Sequence, residues 1–274
     1  MLSYFLNSKK ICIKNISFDI KKTFECGQCF RWQKLSENSY KGVAFSKSIV
    51  VSCEKDQIFF ENTSENNFKN IWIKYFDLNT NYSEVEKCLL KFYKTLRPII
   101  KYSEGIRILK QDPWETLCSF IISQNNNIPR IKAIIKALCE NFGDKINNET
   151  YTFPEAYKLA NLSQADLKPL RCGFRYKYII DAARKISKKE IILEDLSNET
   201  SENIIKTLTK ISGVGPKIAN CVLLYGYNRL NAFPIDTWIK KALKTYRKLD
   251  LNHFYAGIIQ QYIYYYIKSS KVLP

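Results

Sequence analysis

The sequence predicts an α+β chain: a small antiparallel β-sheet N-terminal domain, residues 1–92, followed by an all-helical domain, residues 93–274. Two features of the hydrophobic pattern carry this division. Before about Ser83, short stretches rich in Val, Ile, Phe and Tyr alternate apolar with polar residues. After it, apolar residues recur every three or four positions. In the first part Ile16–Ile20, Ser39–Ala44, Ser48–Cys53 and Gln57–Glu61 read as strands, separated by polar turns at Lys34–Asn38 and Glu54–Asp56. In the second part Asp112, Pro113 and Glu115 supply an N-cap, a first-turn proline and a capping-box acid ahead of Leu117, Phe120 and Ile121. Pro129 opens another helix, with Ile131, Ile134, Ile135, Leu138 and Phe142 on one face and Gly143 as its stop. Amphipathic runs at Lys177–Ile186, Asn203–Leu208, Ile218–Leu224 and Ile239–Tyr246 follow, and their apolar stripes are core.

Composition narrows the function. With 46% hydrophobic and 25% charged residues the chain is globular, yet Lys plus Arg number 43 against 26 Asp plus Glu, a net charge of +17. Such a surplus points to a polyanionic partner, of which nucleic acid is the commonest. A chain rich in Lys, Ile and Asn also reflects A+T-rich coding, so charge alone decides nothing. The N-terminal apolar run is short, Lys9 and Lys10 follow it, and no stretch approaches the ~20 apolar residues that cross a bilayer. A cytoplasmic protein, not secreted and without a membrane partner, is expected. Nine scattered cysteines read as reduced thiols. Cys26 and Cys29 form a CxxC pair, but one histidine, His253, and no second pair leave a zinc site short of its four ligands. Hydrolase chemistry at a serine or cysteine lacks a positioned base for the same reason.

The segment Ile205–Ala219, IKTLTKISGVGPKIA, reads as two short helices joined by a hairpin containing Gly213, Val214 and Gly215, the second helix opening at Pro216. Two glycines permit positive φ and close backbone approach, and a helix N-terminus adds amides and dipole, so the hairpin suits a phosphate. Lys217 breaks a local rule. A lysine in the first helical turn meets the positive end of the dipole, unfavourable by ~0.3–1 kcal/mol. That same field, with partial burial, favours a neutral and therefore nucleophilic amine. Asp236, 19 residues on in FPIDTWIKKAL, can cap the next helix and also serve that amine as a carboxylate partner.

The hairpin resembles the helix-hairpin-helix motif. GVGPK followed by P-x-D resembles the catalytic centre of the bifunctional helix-hairpin-helix DNA glycosylases. The resemblance implies Lys217 as the nucleophile that forms a Schiff base and Asp236 as the carboxylate that stabilises an oxocarbenium ion, with β-elimination cutting the strand. It also implies a monovalent cation on the backbone carbonyls of Thr209, Ile211 and Val214 when DNA is bound, and otherwise no cofactor. The last cysteine is Cys221, so the iron–sulfur cluster that some superfamily members carry after this region cannot form.

Four further segments, in order along the chain, are similar to the 8-oxoguanine glycosylases: FECGQCFRW (Phe24–Trp32), QDPWETLCSFIISQNNNIPR (Gln111–Arg130), LRCGFRYKY (Leu170–Tyr178) and YAGIIQQYIYY (Tyr255–Tyr265). A helix-hairpin-helix glycosylase domain after the sheet is the fold this implies. A base must leave the duplex before its glycosidic bond can be reached. The resemblance assigns Phe174 to wedge the gap, and Asn125, Asn126, Arg130 and Arg175 to the DNA, with Asn125, Arg130 and Arg175 holding the estranged cytosine. Gly213 and Gly215 would bind the DNA backbone. It assigns the base pocket to Gly27, whose carbonyl would accept from N7–H of 8-oxoguanine, to Cys221 and Tyr264, which would sandwich the base, and to Gln260 at its Watson–Crick edge. Tyr264 stands where the family has phenylalanine, Trp238 where it often has histidine, and Asn220 where it has an acid. The expected partner is duplex DNA containing 8-oxoguanine, bound by a monomer. Two alternatives stay open: a glycosylase of the same superfamily for another damaged base, and a non-catalytic DNA-binding module.

Overall fold

A computed structural model of the chain describes residues 3–7, 10–14, 16–246, 249 and 251–270; Lys9 lies outside them. The packing divides the chain into two compact units, which are not two successive halves. One comprises Met1–Gly42, Ser48–Lys110 and Leu230–Pro274, and the other Val43–Lys47 and Gln111–Arg229. The chain thus leaves the first unit after Lys110 and comes back to it at Leu230, where a linear reading places a single boundary at residue 92.

The first unit carries a six-stranded antiparallel sheet: β1 (Tyr4–Asn7), β2 (Lys10–Lys14), β3 (Trp32–Ser36), β4 (Ser39–Ala44), β5 (Lys47–Glu54) and β6 (Gln57–Glu61), in the order β1-β2-β6-β5-β4-β3. Strands β4, β5 and β6 stand where alternation puts them, and Ile49, Val51, Ile58 and Phe60 turn to the core. Ile16–Ile20 is not a strand. Phe18 and Ile20 are buried and their polar neighbours imitate a period of two, but the Asp19 side chain accepts a hydrogen bond from Lys22 N at 2.8 Å and starts the helix Ile20–Glu25. The polar stretch Lys34–Asn38 is largely the outer end of β3, and only Glu37 and Asn38 make the turn. Helix also begins earlier than the periodicity indicates, over Glu65–Tyr75, with a π-helical turn at Phe68–Trp72 that disrupts its 3.6-residue period. The core here is aromatic: Phe24 stacks on Trp32 with centroids 3.8 Å apart, and Trp32 donates through its indole N–H to the Tyr75 hydroxyl at 2.8 Å. The C-terminal helix Ala256–Ser270 belongs to this unit and buries nearly all of its first two turns, Ala256 to Ile263.

Apart from the ends of β4 and β5 within Val43–Lys47, the second unit is helical except for a two-stranded hairpin, β7 (Lys145–Asn147) and β8 (Thr150–Tyr151), so this part of the chain is not wholly helical. The helix Pro113–Ser123 starts where Asp112 accepts from Glu115 N at 2.8 Å, and its interior residues Leu117 to Ile122 are buried. Asn127 caps Ile128–Phe142 in the same way, by accepting from Arg130 N at 3.0 Å. The helix that opens at Pro216 ends at Cys221 and passes into a π-helical turn, Val222–Gly226. Among the described residues no helix is long and apolar enough to cross a membrane.

Candidate active site and nucleic-acid interface

The hairpin lies in the second unit between the helices Ser201–Leu208 and Pro216–Cys221. Ile211 N donates to Leu208 O and Val214 N to Ile211 O, which closes the turn. Gly213 has φ +75° and lies flat against Tyr178: a Cβ there would come within 2.3 Å of the ring. Gly213→Ala is therefore expected to destabilise the unit by at least about 2 kcal/mol, from left-handed strain plus the clash, as chemical denaturation of variant and parent will measure. Gly215 differs. Its φ is −100°, in ordinary extended space, and a Cβ would meet nothing within 4 Å. The open face, rather than unusual dihedrals, is what this glycine contributes to close approach.

Lys217 stands in the first turn after Gly215, half-buried, with Nζ 5.1 Å from the centroid of the Phe120 ring. Phe120 is itself stacked on Tyr225 at 5.3 Å. No carboxylate pairs with Lys217 among the described residues, although most of the exposed ion pairs are lysine with acid. Asn220 folds back so that Nδ2 donates to Pro216 O at 2.9 Å, and Cys221 is buried one turn beyond Lys217.

The residues assigned to DNA contact converge in this unit. Phe174 is 48% exposed and packs edge-on against Tyr178 with centroids 6.0 Å apart. Asn125 is exposed at φ +45°, and Arg130 is exposed with Nη2 donating to Arg171 O at 3.1 Å. Asn126 and Arg175 are placed otherwise. The Asn126 amide donates to Ile122 O at 3.0 Å and accepts from Asn127 N. The Arg175 guanidinium is buried on backbone carbonyls: Nε to Gln124 O at 2.7 Å, Nη2 to Asn125 O at 2.7 Å and Nη1 to Cys172 O at 3.1 Å. Burial and the nearby Arg130 charge lower its pKa, yet guanidinium stays charged. These two side chains shape the loop that presents Asn125.

Two residues in this region escape a reading of motifs. Asp181 accepts from Ser212 N at 2.7 Å while holding Lys185 at 2.6 Å, and Tyr178 supports both Gly213 and Phe174. Burial raises the Asp181 pKa, and the Lys185 and Ser212 donors lower it by more. Both residues lie on the helix Tyr176–Ser187, which therefore carries the hairpin and Phe174 together. An i,i+4 Asp–Lys pair on an amphipathic helix looks like any solvated face, so the sequence holds no signal for this role.

The remaining assigned residues belong to the first unit. Asp236 caps Thr237–Thr245, its Oδ1 accepting from Trp238 N at 2.9 Å and Ile239 N at 2.8 Å. Trp238 is half-buried, with Lys268 Nζ 4.3 Å and Lys241 Nζ 5.2 Å from its ring centroid. Gly27 has φ +82°, which glycine adopts without strain. Gln28, fully buried, fixes this turn: Nε2 donates to Thr23 O and Arg107 O, and Oε1 accepts from Leu109 N at 2.9 Å. Burial pushes the Cys26 thiol up to about 12, so the thiolate that metal binding or disulfide exchange needs is disfavoured at this CxxC. No group of three or more His, Cys, Asp or Glu side chains able to hold a metal stands together among the described residues. Tyr264 is half-buried, with Lys268 Nζ 6.0 Å from its ring. Gln260 is only 4% exposed, and its amide oxygen finds no hydrogen-bond partner among the described residues. An unpaired buried acceptor costs about 1–3 kcal/mol, which a ligand's donor would recover.

Known proteins match nearly the whole chain. Residues 10–117 match the 8-oxoguanine DNA glycosylase N-terminal domain, and residues 118–254 match the HhH-GPD superfamily of base excision DNA repair proteins. An N-glycosylase/DNA lyase of Saccharomyces cerevisiae is 30% identical over 90% of this chain and 71% of its own length. The solved structure of MBOgg1 with a low-affinity DNA ligand superposes with a TM-score of 0.93 at 39% identity, covering 99% of this chain and 100% of that one. The Clostridium acetobutylicum 8-oxoguanine glycosylase/lyase, solved with duplex DNA containing cytosine opposite 8-oxoguanine, gives 0.91 at 34% identity over 99% of both chains. With its N-terminal sheet, its hairpin and Lys217 behind Gly215, this chain belongs to the 8-oxoguanine DNA glycosylase/lyase family of the HhH-GPD superfamily.

Proposed function

We propose that the chain excises 8-oxoguanine paired with cytosine in duplex DNA, through Lys217, and then cleaves the strand at the resulting abasic site. The observation that carries this reading is Lys217 itself, a half-buried amine on an aromatic face, unpaired with any carboxylate among the described residues, two residues past the open side of Gly215. Backbone binding alone needs no such amine. In the neutral form its lone pair attacks C1′ as the glycosidic C–N bond breaks and the base departs with the bonding electrons and a proton. The Asp236 carboxylate stabilises the positive charge that develops on the sugar. Ring opening gives an iminium on Lys217, loss of a proton from C2′ expels the 3′ phosphate, and hydrolysis of the conjugated imine frees the enzyme.

Recognition follows from the same residues. The Gly27 carbonyl accepts the N7–H that 8-oxoguanine has and guanine lacks, and the unsatisfied oxygen of Gln260 accepts from the base edge. Cys221 and Tyr264 flank the base. Phe174 fills the gap in the stack, Asn125 and Arg130 hold the estranged cytosine, and the buried Arg175 holds the loop that bears Asn125. The hairpin amides around Gly213 and Gly215 take a phosphate. The carbonyls of Thr209, Ile211 and Val214 are neutral, hard oxygens that suit a monovalent cation, whose charge would draw that phosphate in. A monomer suffices, because every named residue comes from one chain, and the site of action is whichever compartment holds the genome.

The test is borohydride reduction during turnover on a duplex with one 8-oxoguanine opposite cytosine. The expected result is a covalent protein–DNA adduct, with base release and strand cleavage, and negligible adduct on the undamaged duplex. Release of a different damaged base in preference to 8-oxoguanine would move the reading to another lesion, and no release at all would leave a DNA-binding protein.

A further inference from the structure

Within the first unit, one buried hydrogen bond spans 235 residues of sequence. Gln261 Nε2 donates to the carbonyl of Cys26 at 2.9 Å. Gln261 is 1% exposed and Cys26 is 2% exposed, so this bond forms without competing water. Its partners are the immediate neighbours of the two groups that read the base. Cys26 precedes Gly27, and Gln261 follows Gln260. Gly27 alone could not hold a fixed position, since a glycine at φ +82° has neighbouring conformations within easy reach. Gln28 locks the far side of the turn to Arg107 and Leu109, and Gln261 locks the near side to the C-terminal helix.

We infer that Gln261 is a positioning residue for base recognition: it sets the Gly27 carbonyl and the Gln260 amide at the separation that 8-oxoguanine requires. The inference rests on the base-pocket reading above and adds a residue to it. Two acceptors that must meet two donors of one rigid heterocycle tolerate little error, because a hydrogen bond weakens steeply once its geometry departs from about 3 Å and linearity. The consequence is selective. Loosening this bond impairs steps in which the base is held and spares steps in which no base is present.

The experiment compares Gln261→Met, which keeps the unbranched shape and removes the donor, with the parent protein in two single-turnover assays. One measures base excision from an 8-oxoguanine:cytosine duplex. The other measures strand cleavage at a preformed abasic site opposite cytosine. Excision is expected to slow by about tenfold or more, while abasic-site cleavage stays within about twofold of the parent. Gln261→Glu is the second variant. A buried carboxylic acid in its protonated form can still donate to Cys26 O, so its excision defect is expected to shrink as pH falls from 8 towards 6 relative to the parent. Excision by Gln261→Met at the parental rate overturns the inference alone. So does an equal loss in both assays, which would make Gln261 part of the scaffold only. A parent that leaves 8-oxoguanine in place removes the base-pocket reading, and the inference with it.

Discussion

Lys217→Gln is expected to give a folded protein that releases no base and forms no borohydride-trappable adduct, with excision reduced by at least about a thousandfold, or about 4 kcal/mol of transition-state stabilisation. Folding has little stake in this amine. It is half-buried, it has no carboxylate partner among the described residues, and it opposes the dipole of its own short helix. Stability should therefore stay within about 1 kcal/mol of the parent, as urea unfolding will show. Duplex affinity should also survive, because the hairpin amides and the exposed Asn125, Arg130 and Phe174 are untouched. Should the variant retain parental excision but lose trapping, the amine would not act in the excision step. A persistent adduct would place the nucleophile on another residue.

Asp236→Asn separates two duties of one side chain. The carboxylate Oδ1 takes both Trp238 N and Ile239 N, and an asparagine oxygen can do the same, since Asn and Asp cap helices about equally well. Melting temperature should hardly move, whereas excision should fall by on the order of a hundredfold, about 3 kcal/mol, because the developing cation loses its counter-charge. Asp236→Ala should match this kinetic loss and in addition cost about 1 kcal/mol of stability from the missing cap. Equal excision by parent and Asp236→Asn would reduce Asp236 to a helix cap.

The fold is legible in the sequence where the physics is local. Asp112 and Asp236 each announce a helix because the cap bonds an amide two or three residues ahead, and Pro129 marks the opening turn of Ile128–Phe142. Strands β4, β5 and β6 follow from alternation on a half-buried sheet. Asp19 is also a local cap, but the buried Phe18 and Ile20 around it imitate a strand and mask the cap in the sequence. The candidate site is legible in the sequence only as residue types. Their duties depended on distant partners: Arg175 looks like a hand for DNA until Gln124 and Asn125 are seen to occupy it, and Gln28 and Gln261 look ordinary until their partners far along the chain are known.

The return of the chain at Leu230 has a bearing on how the protein is made. Residues 111–229 form one continuous stretch of their unit, so the contacts within that stretch need nothing translated after residue 229. Those of the sheet-bearing unit do. Ser103, Glu86 and Cys26 wait for Tyr262 and Gln261, which are translated more than 150 residues later, and contacts of such sequence separation are the kind that slow folding. Until the C-terminal helix arrives, the apolar surface it covers is open to water and to other nascent chains. A nascent chain halted near residue 230 would thus hold the hairpin and Phe174 but lack the helix Ala256–Ser270, which carries Gln260 and Tyr264.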